Sequence, residues 1–260
     1  MEILRFTLSG KNACFRKPEV NSYGYFSYGN IHKVALLGLF GAVLGYNGYN
    51  QMQDFAKTKK KTELTQSYPE FYEKLKNVKL SILPEKEGKG FISKKIQIFN
   101  NSVGYASKEQ GGNLVVKEQW LENPCWEICV LIDSEEAEKI REAICNHRCI
   151  YYPYLGRNDH PADITRVQVE EAVENDFSVG QLDCLVPKNL VKFVELDEDE
   201  EEELELGMFR EFKYEEALPC GMDAWTNHYI MKTYVYTNMF VRVQDEVVYE
   251  LKDGKKILFV

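Results

Sequence analysis

Lys11, Asn12, Phe15, Arg16, Lys17, Tyr23, Tyr25, Tyr28, His32 and Lys33 crowd into one stretch near the start of the chain, among glycines and asparagines. Cations that seek phosphates and rings on which bases stack are the two ingredients of single-stranded nucleic acid binding. A charged loop folding its aromatics onto a core would use the same residue types, and the residues alone do not separate the two readings. Backbone amides at a helix start over residues 30–33 would add a place for a phosphate.

Catalytic chemistry finds less support. The phosphate-loop lysine motif, the dinucleotide glycine fingerprint, the Gly-x-Ser-x-Gly elbow and the His-Glu-x-x-His pair do not occur in the sequence. His32, His147, His160 and His228 are scattered, and a general acid or base needs partners that spacing does not supply. Cys14, Cys125, Cys129, Cys145, Cys149, Cys184 and Cys220 are odd in number and no signal peptide precedes them. Neither a disulfide framework nor a metal site is therefore expected, no cofactor is called for, and a reducing cytoplasm fits.

The elements that must position these residues follow from periodicity. Residues 2–9 alternate, with Leu4, Phe6 and Leu8 on one face and Arg5 and Thr7 on the other, which predicts a half-buried strand. The cation-aromatic stretch then reads as a long loop, because its Gly, Asn, Ser and Pro content ends the strand. A helix over 31–46 is expected next, capped by Asn30, with Ala35, Gly38, Ala42 and Gly45 forming a stripe that packs on a sheet. At thirteen residues, the apolar run 34–46 is too short to cross a membrane, which takes about 20.

A short helix near 69–76 and a strand at 78–83 lead to strand-like segments at 91–99 and 114–121, separated by fourteen residues. Ordinary hairpins need about two to five, so a projecting finger is expected. The segment 126–132 reads as a strand, and Asp133 with Glu136 as a capping box for a helix over 134–146. Beyond about residue 150 the pattern is all strand, closing on a hairpin turned at Asp253 and Gly254.

The net charge of -9 is local, since the nine carboxylates at Glu195, 197–203 and Glu205 match it. Residues 1–130 carry an excess of Lys and Arg, so an anionic partner would be drawn to that half. The acidic run reads as a solvated loop without a ligand.

Four separated motifs carry a resemblance: G-K-x-A-x-F-R-K-P at 10–18, H-K-x-A-L-L-G-x-x-G-A-x-L-G at 32–45, G-G-N-L-V-V-K-E-Q-W-L at 111–121 and Y-P-Y-L-G-R at 152–157. In this order they resemble the fifth CRISPR-associated (Cas) protein family of the RAMP superfamily, and its type I-B branch most. The resemblance covers roughly residues 1–160. It implies an α+β fold, with a ferredoxin-like, RNA-recognition-type domain over 1–150 whose β-hairpin thumb spans about 91–121. A β-rich region over 151–260 would follow.

What the resemblance implies about function is a non-catalytic subunit of a type I Cascade surveillance complex. Such a subunit would cap the repeat-derived 5′ tag of the CRISPR guide RNA, contact the large and backbone subunits, meet target DNA only through the complex, and support antiviral defence. Carried over by position, Lys11, Asn12, Phe15, Arg16, Lys17, Tyr23, Tyr28, His32 and Lys33 would line the RNA site. The thumb residues Asn100, Tyr105 and Lys108 would fold over RNA or meet a neighbour, while Glu118 and Trp120 would pack its base. One branch of the family cleaves repeat RNA with a tyrosine and a lysine-histidine pair. Here the neighbouring pair is His32 and Lys33, in reverse order, so catalysis is not expected. A metal-independent endoribonuclease and a purely structural subunit remain the alternatives.

Overall fold

The computed structural model describes residues 1–19, 24–52, 68–100, 102, 104–105, 108–110, 112–194 and 210–260. Strand β1 (Glu2–Ser9) and the two-residue strand β2 (Asn12–Ala13) precede helix α1 (Lys33–Leu44). Helix α2 (Glu70–Leu75) leads into β3 (Leu80–Pro84), and then come the hairpin strands β4 (Lys94–Asn100) and β5 (Val115–Glu122). They are followed by β6 (Cys125–Leu131), α3 (Glu135–Cys145) and β7 (Asp163–Glu171). The central sheet is antiparallel with strand order β3-β6-β1-β7. Its fourth strand, β7, comes from beyond residue 150 and pairs with β1.

Alternation in β1 sorts two cores. Leu4, Phe6 and Leu8 face α1 and α3 in the larger one, with Phe6 edge-on to Phe40 at 6.3 Å. Ile3 faces the other way, into a second core with Leu131, Val235 and Ile257. The strand is therefore covered on both faces, not half-buried as its alternation predicts, and Arg5 is only 6% exposed. Arg5 stays charged inside because three carboxylates surround it: Glu127 at 2.7 Å, Glu170 at 2.9 Å and Asp253 at 2.6 Å.

Helix α1 starts two residues later than its sequence suggests. His32 caps it, accepting the Ala35 N–H at Nδ1 over 3.2 Å, while Asn30 is buried and ties the Gly90 carbonyl to the Trp126 indole at 2.9 Å each. Ser134, not Asp133, caps α3 by accepting the Ala137 N–H. Serine and aspartate cap by the same chemistry, so only the register of the cap differs. The small-residue stripe meets a helix and a loop where a sheet was expected. Gly38 lies 3.9 Å from the Phe71 ring of α2, measured from the position a Cβ would take, and Gly45 lies against Ile150 in the same way.

Beyond β7 the chain is strand-rich, with β8 (Val173–Asn175), β9 (Val186–Pro187), β10 (Val191–Phe193), β11 (Lys213–Met222), β12 (Tyr229–Thr237), β13 (Val241–Val243), β14 (Val248–Glu250) and β15 (Lys256–Leu258). They form sheets ordered β11-β12-β9, β10-β13 and β15-β14-β8. Strand β11, which carries Pro219 and the adjacent Glu215 and Glu216, is the longest element the sequence pattern passed over. The acidic run at 195–205 lies outside the described residues.

Candidate nucleic-acid interface

Strands β4 and β5 make a second small sheet with β2, ordered β2-β5-β4, and its middle strand carries the hub of the site. Glu118 on β5 is 1% exposed. One carboxylate oxygen accepts from Arg16 Nη2 at 2.5 Å; the other accepts from Arg157 and from the Trp120 indole, the latter at 2.9 Å. Burial alone would raise the Glu118 pKa, but the Trp120 and Arg16 hydrogen bonds and the Arg157 charge outweigh it and hold it low. A buried anion thus fixes two guanidinium groups that stay partly exposed, with side chains 48% and 27% accessible.

The described residues of the stretch read as a loop fold onto β5 as a ribbon held by isolated bridges. The Tyr28 N–H donates to the Phe15 carbonyl and the Lys17 N–H to the Phe26 carbonyl, while the Tyr25 N–H donates to Lys117 and its carbonyl accepts from Gln119, the last two at 2.8 Å each. Arg16 lies flat over the Tyr25 ring, 3.7 Å from its centre, and Phe26 beside it is 54% exposed. A guanidinium over a tyrosine ring, with an exposed phenylalanine next in the chain, supplies the residue types that stacking and phosphate contact require.

The candidate residues separate into three groups. Arg16 and Lys11 are exposed, and Lys17 is partly exposed, with its ammonium 5.1 Å from the Tyr28 ring centre and 3.6 Å from Glu216. Asn12 lies on β2 next to them, its side-chain oxygen buried without a hydrogen-bond partner among the described residues. Phe15, Tyr28 and His32 are buried instead, and their rings meet edge-on at 6.0 Å for Phe15 with His32 and 5.2 Å for Tyr28 with His32. They support the ribbon from beneath, with their rings covered by the core. Asn100, Tyr105 and Lys108 sit at the far end of the hairpin, where Tyr105 is 80% exposed. Tyr23 lies outside the described residues.

One amide ahead of α1 is already taken by a carboxylate. The Gly29 N–H donates to both oxygens of Glu216 at 2.9 and 3.0 Å, and that carboxylate also accepts from the Tyr214 hydroxyl at 2.5 Å. Lys33 is half-buried, and desolvation lowers its pKa. Periodicity missed Glu118 as an organiser, and Arg157 and Lys94 altogether, because their partners are far off in sequence. Among the described residues no cluster of His, Cys, Asp and Glu could hold a metal, and no helix is long and apolar enough to cross a membrane.

His32 gives the core a pH dependence. Complete burial pushes its pKa down to about 3 from 6.5. Below pH 6.5 the unfolded chain takes up a proton that the folded chain refuses until about pH 3, so this contribution is whole above pH 6.5 and is lost as pH falls. The expected loss approaches about 1.4 kcal/mol per pH unit below pH 6. Urea unfolding at a series of pH values should show a shallower acid decline for His32→Asn, which keeps a helix-capping side chain, than for the parent.

No family model matches the chain, and no curated protein matches it by sequence. Its fold is similar to that of a chain from a CRISPR RNA-guided surveillance complex, with a TM-score of 0.53 and 13% identity, covering 91% of this chain and 90% of that one. A CRISPR protein from Archaeoglobus fulgidus aligns over 99% of both chains with a TM-score of 0.49 and 12% identity. A chain of a type III-B Cmr-beta complex bound to cognate target RNA aligns with a TM-score of 0.48 and 11% identity, over 93% of this chain and 86% of that one. At these identities the likeness is one of fold.

Proposed function

We propose that this chain is a non-catalytic, guide-RNA-binding subunit of a CRISPR surveillance complex, and that it grips the repeat-derived 5′ tag at the ribbon formed by residues 11–19 and 24–28. The observation that carries this reading is the Arg16–Glu118–Arg157 cluster, in which a buried carboxylate orients two partly exposed guanidiniums, Arg16 over the Tyr25 ring and Arg157 over Phe99 and Trp120. Guanidiniums held in place lose less entropy on meeting a phosphate than mobile ones do. The shared fold with a surveillance-complex chain supports the same reading. So does the β-α-β-β-α-β succession of β1, α1, β3, β6, α3 and β7, which we read as a ferredoxin-like domain with the β4–β5 hairpin as its thumb.

Binding is favoured over cleavage by the state of His32. Its Nδ1 is taken by the helix cap and its ring is buried, so it does not serve as a surface acid or base for RNA. We assign the large and backbone subunits of the complex as protein partners on the four-motif resemblance.

The test is the affinity of the chain for labelled repeat-derived RNA across a salt series. Arg16→Ala with Lys17→Ala is expected to weaken binding about tenfold or more and to flatten the slope of log affinity against log salt by about 1.4, near 0.7 for each lost phosphate contact on a single strand. Unchanged affinity and slope in the double variant would sink the assignment of this surface to RNA.

A further inference from the structure

Residues 146–152 are all exposed, yet their backbone is pinned. Arg148 N–H donates to the Ala143 carbonyl at 2.9 Å, Ile150 to Val43 at 2.9 Å and Tyr151 to Ala42 at 3.1 Å, which ties the segment to the ends of α1 and α3. A few residues on, Leu155 bonds to His160 at 2.8 Å and its carbonyl accepts from Cys14 at 3.0 Å. Between these anchors stand three tyrosines in four residues: Tyr151 at 61% exposure, Tyr152 at 89% and Tyr154 at 46%. Rings so exposed contribute little to folding, and a pinned backbone presents them in fixed positions.

Charge points to what they present themselves to. Tyr152 borders an open groove of about 730 Å³ whose rim carries His147 and Arg148, with Glu142 its one carboxylate, while Lys139 on the same rim is paired with Glu135 and Glu136 at 2.7 and 2.9 Å. The Arg148 side chain has no ion-pair partner among the described residues. Three residues past Tyr154 comes Arg157, which shares Glu118 with Arg16. The segment therefore runs from a cation through three free rings into the guanidinium cluster already described.

We propose that Tyr151, Tyr152 and Tyr154 form a stacking platform for further nucleotides of the same single-stranded RNA, with Arg148 as the phosphate contact at its far end. The proposal rests on the reading of the Arg16–Arg157 cluster as an RNA site and extends it to a second, sequence-tolerant subsite. Stacking on aromatic rings suits any base, because every base has a π-face.

Fluorescence anisotropy with single-stranded RNAs lengthened stepwise from about 4 to about 12 nucleotides, within the range of single-strand site sizes, tests it. Affinity for the parent should rise with length. Tyr152→Ala should weaken the longer RNAs about 5- to 100-fold, as expected for one lost base stack, and leave the shortest unchanged, while Tyr152→Phe should behave as the parent. If Tyr151→Ala and Tyr152→Ala bind every length like the parent while short RNAs still depend on Arg16, the platform is overturned and the cluster survives. If the variants leave RNA affinity intact but weaken association with a protein subunit of the assembled complex, the platform is again overturned, in favour of a protein docking face. Failure of the parent to bind RNA of any length would overturn cluster and platform together.

Discussion

Arg5→Met should lower the unfolding free energy by about 3–5 kcal/mol, the usual cost of removing one partner from a buried ion pair. Arg5 stands at the centre of β1 and gathers carboxylates from three separate elements: Glu127 on β6, Glu170 on β7 and Asp253 in the turn between β14 and β15. Glu170 is the decisive partner because it is 7% exposed. Without Arg5 it must bury an uncompensated charge or take up a proton. Glu127 and Asp253 keep Lys255, at 3.0 and 3.3 Å, and lose less. The second variant separates charge from packing: adding Glu170→Leu to Arg5→Met should restore part of the lost stability, since an apolar replacement of both partners removes the desolvation cost. Urea midpoints read this directly, and a single variant within about 0.5 kcal/mol of the parent, the range of an ordinary surface change, would contradict it. The network also titrates. Burial pushes the Asp253 carboxyl up, but the Arg5 hydrogen bond and charge outweigh it and hold the pKa at about 2. The stability it supplies is complete above the ordinary value near 3.8 and fades as pH falls through about 2.

Gly156→Ala is expected to cost about 3 kcal/mol or more, through backbone collision added to strain. Gly156 has φ of 83°, and a Cβ there would overlap the Cys14 carbonyl and sit 3.3 Å from the Phe15 ring. Neither neighbour can retreat, because Cys14 is bonded to Leu155 and Phe15 packs on Trp126 at 6.0 Å between ring centres. Gly254 supplies the comparison. Its φ of 82° is nearly the same, but nothing lies within 4 Å of its Cβ position. Gly254→Ala should therefore lose only the left-handed strain of about 1–2 kcal/mol. The difference between the two substitutions measures the close approach of the 152–157 motif to the ribbon. Because Arg157 follows directly, Gly156→Ala should also weaken RNA binding, whereas Gly254→Ala should not. Equal losses of stability in the two variants would rule out the close-approach account.

Local chemistry was legible in the sequence wherever the answer lay within a few residues. Alternation in residues 2–9 gave β1, the apolar run gave α1, Asp253 and Gly254 gave the closing turn, and two strand-like runs around a long connection gave the β4–β5 hairpin. Caps were displaced by one or two residues because Asn30 and His32, or Asp133 and Ser134, offer equivalent acceptors, and tertiary contacts chose between them. Coverage of β1 on its second face could not be read, since the residues that cover it lie far along the chain. The site divides in the same way. Cations and aromatics identified the ribbon, but which rings turn inward was decided by Trp126 and Tyr229, and the hub at Glu118 joins residues 102 and 39 positions away. Separation of that size leaves no periodic trace.

Equilibrium binding of the parent chain to fluorescently labelled repeat-derived 5′-tag RNA, across a salt series, tests the central claim most directly. The account predicts saturable binding whose log affinity falls linearly with log salt, with a slope of about -1.4 or steeper, as at least two phosphate contacts from Arg16 and Lys17 require. Absence of binding at low salt, or an affinity that does not change with salt, would contradict it.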